Sequence, residues 1–420
     1  MAKNQLRSAA RAVAAGSLAL AGVGGLAAPA AADAGTSTQT QAIAGAGTER
    51  ARGALVSYEL RHTFTRAQVT DALAPHVATD QVRHGVSTYL VKYRTVDHRG
   101  APVVASQLVA LPDNGDRSLP VVSWLHGTTV TKTHVASART DTNDHRAALL
   151  FASTGRAVSA PDYVGLGKDS PGRHPYGDPR STVAAGVDGL RSARVAARDL
   201  GRRLERDVQV SGFSQGGPAT MLMGRALQQE GADRYFRLGA LAPVGGPFDL
   251  SAFEKAAADD AVEKSGLYLG YFVTAWNWMY GGLYDSPSEA FKAPYDAVVE
   301  ELFNGAYEPQ EILAKLPPAS RDLFTPQFLE KVRNPTGELA RRLRPLDTTC
   351  DWRPEVPVRI FHAAGDKDVD FAHARHCGAQ LTANGAAYEL TDLGQYDHNG
   401  SVRRALPEIV RFFDAATGRP

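Results

Sequence analysis

The spacing of apolar positions along this chain changes several times, and each change marks an element. "STYLVKYRTVD", beginning at Ser87, alternates apolar and polar residues with a period near two; "VVASQLVALP" follows the turn-forming His98-Arg99-Gly100, and the pair predicts an antiparallel hairpin. "LPVVSWLHG" and "RAVSAPD" are short continuous apolar runs of the kind buried on both faces of a parallel sheet. "HRAALLFAS" and the stretch from about Ser181 to Leu204 have helical spacing and follow those runs in turn. "DVQVSGF", "RLGALAPVG", "VPVRIFHAAGD" and "AAYELTDLG" complete a set of eight strands, with helical material between them. Strand and helix alternate, so the expected fold class is α/β: a mostly parallel eight-stranded sheet with helices on both faces and a two-strand antiparallel start.

Two segments break the alternation. "FTRAQVTDAL" places Thr65 three residues before Gln68, the spelling of a capping box, and predicts a short helix before the hairpin. From about Gly246 to Leu346 the chain reads as several short helices broken by Pro and Gly. An insertion after the sixth strand stands above the carboxyl ends of the strands, where open α/β sheets bind ligands. The expected organisation is a leader over 1–32, a flexible stretch over 33–53, a core in two parts over 54–245 and 347–420, and a helical cap over 246–346.

The leader is read from Lys3, Arg7 and Arg11, an Ala/Gly/Leu run to about Ala28, and Ala30-x-Ala32 as a cleavage site near Ala32. It predicts a secreted protein rather than a membrane-anchored one. The chain has 420 residues, 43% hydrophobic and 22% charged, with a formal charge of +1. Without the three leader cations that charge is about −2, and no basic excess points to nucleic acid. Cys350 and Cys377 are the only cysteines. An even pair in an exported chain is expected to form a disulfide, closing a loop worth about 3 kcal/mol. No His cluster accompanies the pair, so no metal site is expected.

Chemistry enters at Gly212-Phe213-Ser214-Gln215-Gly216, which fits G-x-S-x-G. The spelling alone arises by chance about 0.2 times in a chain of this composition, so context decides. Here the motif closes an apolar run and opens a helical one, as a serine presented on a tight strand-to-helix turn requires. A serine hydroxyl needs a general base, and the base needs an orienting carboxylate. Asp366 lies just past the strand "VRIFH" and His398 past the last strand, which gives the chain order Ser, acid, His. Asp368 and Asp370 compete for the acid's role, and position after the strand favours Asp366. The Gln215 N–H and a backbone donor from "WLHGTTV", Thr128 first and Gly127 second, would stabilise a developing oxyanion. His126 reads as a brace of that loop, and Asp162 as a brace of the next. The aromatic residues Tyr268, Tyr271, Phe272, Trp276, Trp278, Tyr280 and Tyr284 of the cap, with Tyr163, are candidates for a substrate pocket, although such residues equally glue a cap to a sheet.

Taken together, "HGTT", "PDYVGLGKDSPGRHPY", "GFSQGG", "HAAGDKDVD" and "YDHNG" resemble the α/β-hydrolases. Pro161 to Gly167 followed by "HPY", and the cap after "LAPVGGPFDL", resemble the secretory lipase family of extracellular lipases and esterases. The similarity spans about Ser87 to Phe413. It implies cofactor-free hydrolysis of a small-molecule or lipid ester through Ser214, His398 and Asp366, with transient contact at a lipid interface as one mode of access. Two other expectations stand beside it: a serine exopeptidase with a cap carboxylate (Glu254, Asp259, Asp260 or Glu263) holding the substrate's amino terminus, and a catalytically inactive secreted binding protein.

Overall fold

The computed structural model describes residues 51–418. The expected leader, its cleavage site and most of the 33–53 stretch lie outside the described residues. The chain runs β1 (Leu55–Phe64), α1 (Arg66–Leu73), β2 (Gly85–Val96), β3 (Pro102–Asp113), β4 (Ser118–Leu125), α2 (Asn143–Ser153), β5 (Ala157–Pro161), α3 (Pro179–Asp199), β6 (Arg203–Phe213), α4 (Gly216–Gln228) and β7 (Arg237–Val244). An insertion follows, with α5 (Leu250–Ala258), α6 (Ser265–Tyr280), and the shorter α7 to α12 (Pro287–Ala290, Val299–Leu302, Pro309–Leu313, Ser320–Leu323, Pro326–Arg333 and Gly337–Asp347). The chain then returns through β8 (Arg359–His362), α13 (Ala372–Ala383), β9 (Glu389–Asp392) and α14 (His398–Thr417).

One nine-stranded sheet has the order β1-β2-β3-β5-β4-β6-β7-β8-β9. Pairings from β1 to β5 through β3 are antiparallel, and β4, with every strand after it in that order, pairs in parallel. All eight expected strands are present, and β1 is the addition, so the insertion follows the seventh strand of nine. Alternation misses β1 because it is an edge strand with no buried residue; Leu60 is 54% exposed. The capping box at the start of α1 is formed: Gln68 N–H donates to Thr65 Oγ1 at 3.3 Å and Thr65 N–H to Gln68 Oε1 at 2.8 Å. The long helix ends at Asp199, not near Leu204, because Gly201 turns the chain with φ +79° and Leu204 enters β6.

Period-two alternation on β4 shows how the layers are built. Leu119, Val121 and Leu125 pack with Leu190 of α3 and Met221 of α4, while Val122 and Trp124 pack with Phe151 of α2 and Val410 of α14. Burying a side chain of this size contributes about 1.5–3 kcal/mol relative to leaving it exposed. The insertion has its own apolar core, centred on α6, whose Leu269, Tyr271, Phe272, Val273, Trp276 and Met279 are all buried. A helix apolar on every side must be covered on every side, and the short helices cover it. Cys350 and Cys377 are bonded, with Cα atoms 5.2 Å apart, joining the start of the second core segment to α13. No helix among the described residues is long and apolar enough to cross a membrane.

Candidate active site

Ser214 sits where β6 turns into α4, and the turn is tight enough to dictate its neighbours. Its φ is 55°, a left-handed value that costs a non-glycine residue about 1–3 kcal/mol. The Ser214 N–H donates to Val244 O at 2.9 Å, tying the turn to the end of β7. A side chain at Gly216 would overlap the carbonyl of Leu125, and one at Gly212 would overlap the carbonyl of Gly216, so both glycines of the motif are steric requirements.

The structure brings Ser214, His398 and Asp366 together from three distant segments. His398 Nδ1 lies 2.7 Å from Asp366 Oδ2, and its Nε2 lies 2.9 Å from Ser214 Oγ. An ionised carboxylate only accepts, so Nδ1–H is the donor and Nε2 is left to accept from the serine hydroxyl. The three residues are 6 to 7% exposed. Asp366 Oδ1 accepts from the N–H groups of Asp368 and Val369, both at 2.9 Å. Burial opposes ionisation of Asp366, but the hydrogen bond and charge of His398, with the backbone donors, outweigh it and hold the carboxyl below the usual range. Asp368 points elsewhere: its Oδ2 accepts from Lys264 Nζ at 2.8 Å and from Tyr268 OH at 3.1 Å, bridging to α6 and its N-cap. Asp370 is exposed and accepts from the Ala372 N–H at the start of α13.

Gln215 precedes α4, where first-turn N–H groups have no intrahelical acceptor. Its side chain reaches His174, with Gln215 Nε2 3.3 Å from His174 Nε2. His174 Nδ1–H donates to Val164 O at 2.8 Å, and burial pushes the imidazole down to about 3, so it stays neutral and accepts. Gly127 and Thr128 border the cavity at Ser214, and Thr128 Oγ1 is 3.0 Å from Tyr176 OH. The His126 ring lies below that loop, 2.6 and 3.1 Å from the carbonyl oxygens of Gly127 and Asp162. Asp162 is fully buried and accepts from Ser106 Oγ at 2.6 Å; burial raises its pKa against the donors that favour the anion. His174 and Tyr176, which position Gln215 and Thr128, were legible only as part of "HPY". Lys264 carried no sequence signal, whereas Tyr268 is one of the cap aromatics expected at a pocket and does border the cavity over Ser214.

The cavity over Ser214 holds about 400 Å³ and is bordered by Val130, Phe213, Leu267, Tyr268, Leu313 and His398, among others. Tyr163, Tyr271, Trp276 and Trp278 do not line it. Tyr163 is 1% exposed, with its ring 4.1 Å from His126 and its hydroxyl donating to His126 O. Tyr271 stacks between Tyr176 and Phe303, and Trp276 Nε1–H donates to Tyr176 O at 3.1 Å. Trp278 faces outward against His98 of the β2–β3 turn. Tyr271 and Trp276 belong to the insertion's core, which is what the all-round apolar composition of α6 demands, whereas Tyr163 packs in the core beside the sheet. Glu254, Asp259, Asp260 and Glu263 are also absent from the cavity wall.

This sheet order, with a tight strand-to-helix turn at Ser214 after a central strand, is that of an α/β-hydrolase fold. No family model matches the chain, and no curated protein matches it. Among solved structures, it is similar to a rice cell wall degrading esterase, LipA, of Xanthomonas oryzae, at 26% identity over 88% of this chain and 99% of that one, with a TM-score of 0.77. It is also similar to a provisionally assigned hydrolase of Legionella pneumophila, at 24% identity over 86% and 98% of the two chains and a TM-score of 0.79. Candida antarctica lipase A in its closed state matches at 16% identity over 88% and 84%, with a TM-score of 0.61.

Proposed function

We propose that this chain is an exported serine hydrolase that cleaves carboxylic esters through an acyl-enzyme, with Ser214 as nucleophile, His398 as general base and acid, and Asp366 as the group that orients the imidazole. The observation that carries this reading is the continuous relay from Asp366 through His398 to Ser214 at the rim of a 400 Å³ cavity. Ser214 Oγ adds to the ester carbonyl as its proton passes to His398 Nε2, and Asp366 balances the imidazolium. The N–H groups of Gln215 and of Thr128 or Gly127 receive the oxyanion. His398 then protonates the leaving alcohol, and water repeats the sequence to release the acid. The LipA and lipase A neighbours support esters as the substrate class, and the insertion serves as a cap over 246–346. Export is supported by the leader spelling together with the Cys350–Cys377 bond.

The exopeptidase reading gains nothing from the geometry, since no cap carboxylate named for it borders the cavity. The test is hydrolysis of p-nitrophenyl esters of several chain lengths by wild type and Ser214→Ala, beside labelling with a fluorophosphonate. Loss of at least about 10⁴-fold in kcat/KM, with labelling abolished, is expected. A loss below about 100-fold is too small for removal of a nucleophile and would overturn the mechanism.

A further inference from the structure

The charged side chains around the cavity are mostly matched. Asp141 accepts from Arg139 at 2.8 and 2.9 Å, Lys264 pairs with Asp368 at 2.8 Å, and Asp144 accepts from Trp124 Nε1–H at 2.9 Å. Arg146 of α2 and Arg403 of α14 are different. Both border the cavity with Ser214 and His398, and both converge on a single neutral acceptor, Asn143 Oδ1, at 3.4 and 3.1 Å. Among the described residues neither guanidinium has a carboxylate partner. Burial, and then the like charge of Arg403, lowers the pKa of Arg146 against a smaller opposing pull from the Asp141 carboxylate, which is itself paired with Arg139.

The arrangement is built rather than incidental. Asn143 Nδ2–H donates to Asn399 Oδ1 at 3.0 Å, which locks the starts of α2 and α14 together. Both helices point their positive ends toward this place. Each guanidinium has five N–H donors, of which the shared amide oxygen takes one, so most of both forks remains for a planar anion. Asp141 and Asp144 on the same wall oppose a dianion, leaving a carboxylate as the fitting group.

Its side of the ester follows from the proton path. His398 hands its proton to the departing alcohol, so the alcohol portion lies on the His398 flank, and α14 carries Arg403 away from that flank. Arg403 lies five positions along α14 from His398, an axial rise of about 7.5 Å, so an alcohol portion with several carbons between ester oxygen and carboxylate is the fitting trial substrate. Resting on the ester-hydrolase reading above, we propose that the cleft is selective for esters whose alcohol portion bears a free carboxylate, bound by Arg146 and Arg403.

The test compares acetate release from 6-acetoxyhexanoate and from its uncharged partner 6-acetoxyhexanamide, in wild type, Arg146→Gln, Arg403→Gln and the double variant. Each comparison is a ratio within one protein, so a general loss of activity does not move it. The expected ratio of kcat/KM, anionic over neutral, is about tenfold in wild type and about one in the double variant, with Arg403→Lys retaining part of the preference. A wild-type ratio below about threefold, or one that survives the double substitution, overturns the proposal. Calorimetric binding of the same two compounds to Ser214→Ala separates this from failure of the hydrolase reading. Preference for the anion there, lost when both arginines are also replaced, sustains the site even if neither compound is turned over; equal binding removes it.

Discussion

Asp366→Asn is the sharpest probe of the relay because it changes one atom and almost no volume. Asp366 Oδ1 receives two backbone N–H groups at 2.9 Å, so the asparagine carbonyl must stay on that side. Its NH₂ then faces His398 Nδ1, which has to accept, and the ring proton moves to Nε2, where it meets the serine hydroxyl instead of an empty lone pair. Turning the amide over would forfeit two hydrogen bonds, about 2 kcal/mol together. The imidazolium formed in the transition state also loses its counter-charge, worth about 4 kcal/mol at 4 Å for an effective dielectric near 20. The sum, about 6 kcal/mol, predicts a fall in kcat/KM of about 10⁴-fold. The assay is hydrolysis of a p-nitrophenyl ester across pH, and the variant should recover activity at high pH, where the serine ionises without help. A loss under about 100-fold, with an unchanged pH profile, would show that the carboxylate does not set the tautomer.

Asp368→Asn should weaken the bridge to Lys264 and Tyr268, lowering stability by about 1–2 kcal/mol while reducing kcat/KM by no more than about tenfold; a loss matching that of Asp366→Asn would reassign the acid. Glu254 is fully buried and its pKa is raised well above the usual value by desolvation. The native state therefore holds a proton that the unfolded chain has released, and stability falls as pH rises from the unfolded value toward the folded one. Glu254→Gln should thus raise Tm more at pH 8 than at pH 4.5, and an equal shift at both would contradict the buried acid. Replacing both Cys350 and Cys377 with serine should cost about 3 kcal/mol of stability, read as a lower midpoint in urea; an unmoved midpoint would show that the cross-link does not restrain the unfolded chain.

The chain's own pattern determined a good deal here. Period-two alternation about a turn named the hairpin, and short apolar runs separated by helical spacing named the other six strands and the helices between them, because burial on both faces of a sheet removes the alternation. The glycines about Ser214 were legible because no other residue fits beside the Leu125 carbonyl, and the order Ser214, Asp366, His398 followed from strand ends. Tertiary structure alone decided the rest. β1 carries no buried face and so leaves no alternation to read. Position after the strand favoured Asp366 over Asp368 and Asp370, but only the third dimension shows one turned to His398, one to Lys264 and one to the start of α13. The aromatics of α6 read equally as pocket or core, since burial demands the same residues in both, and packing put Tyr271 and Trp276 in the core. Arg146 and Arg403 lie 257 positions apart, and no local pattern can report that two such charges meet on one asparagine oxygen.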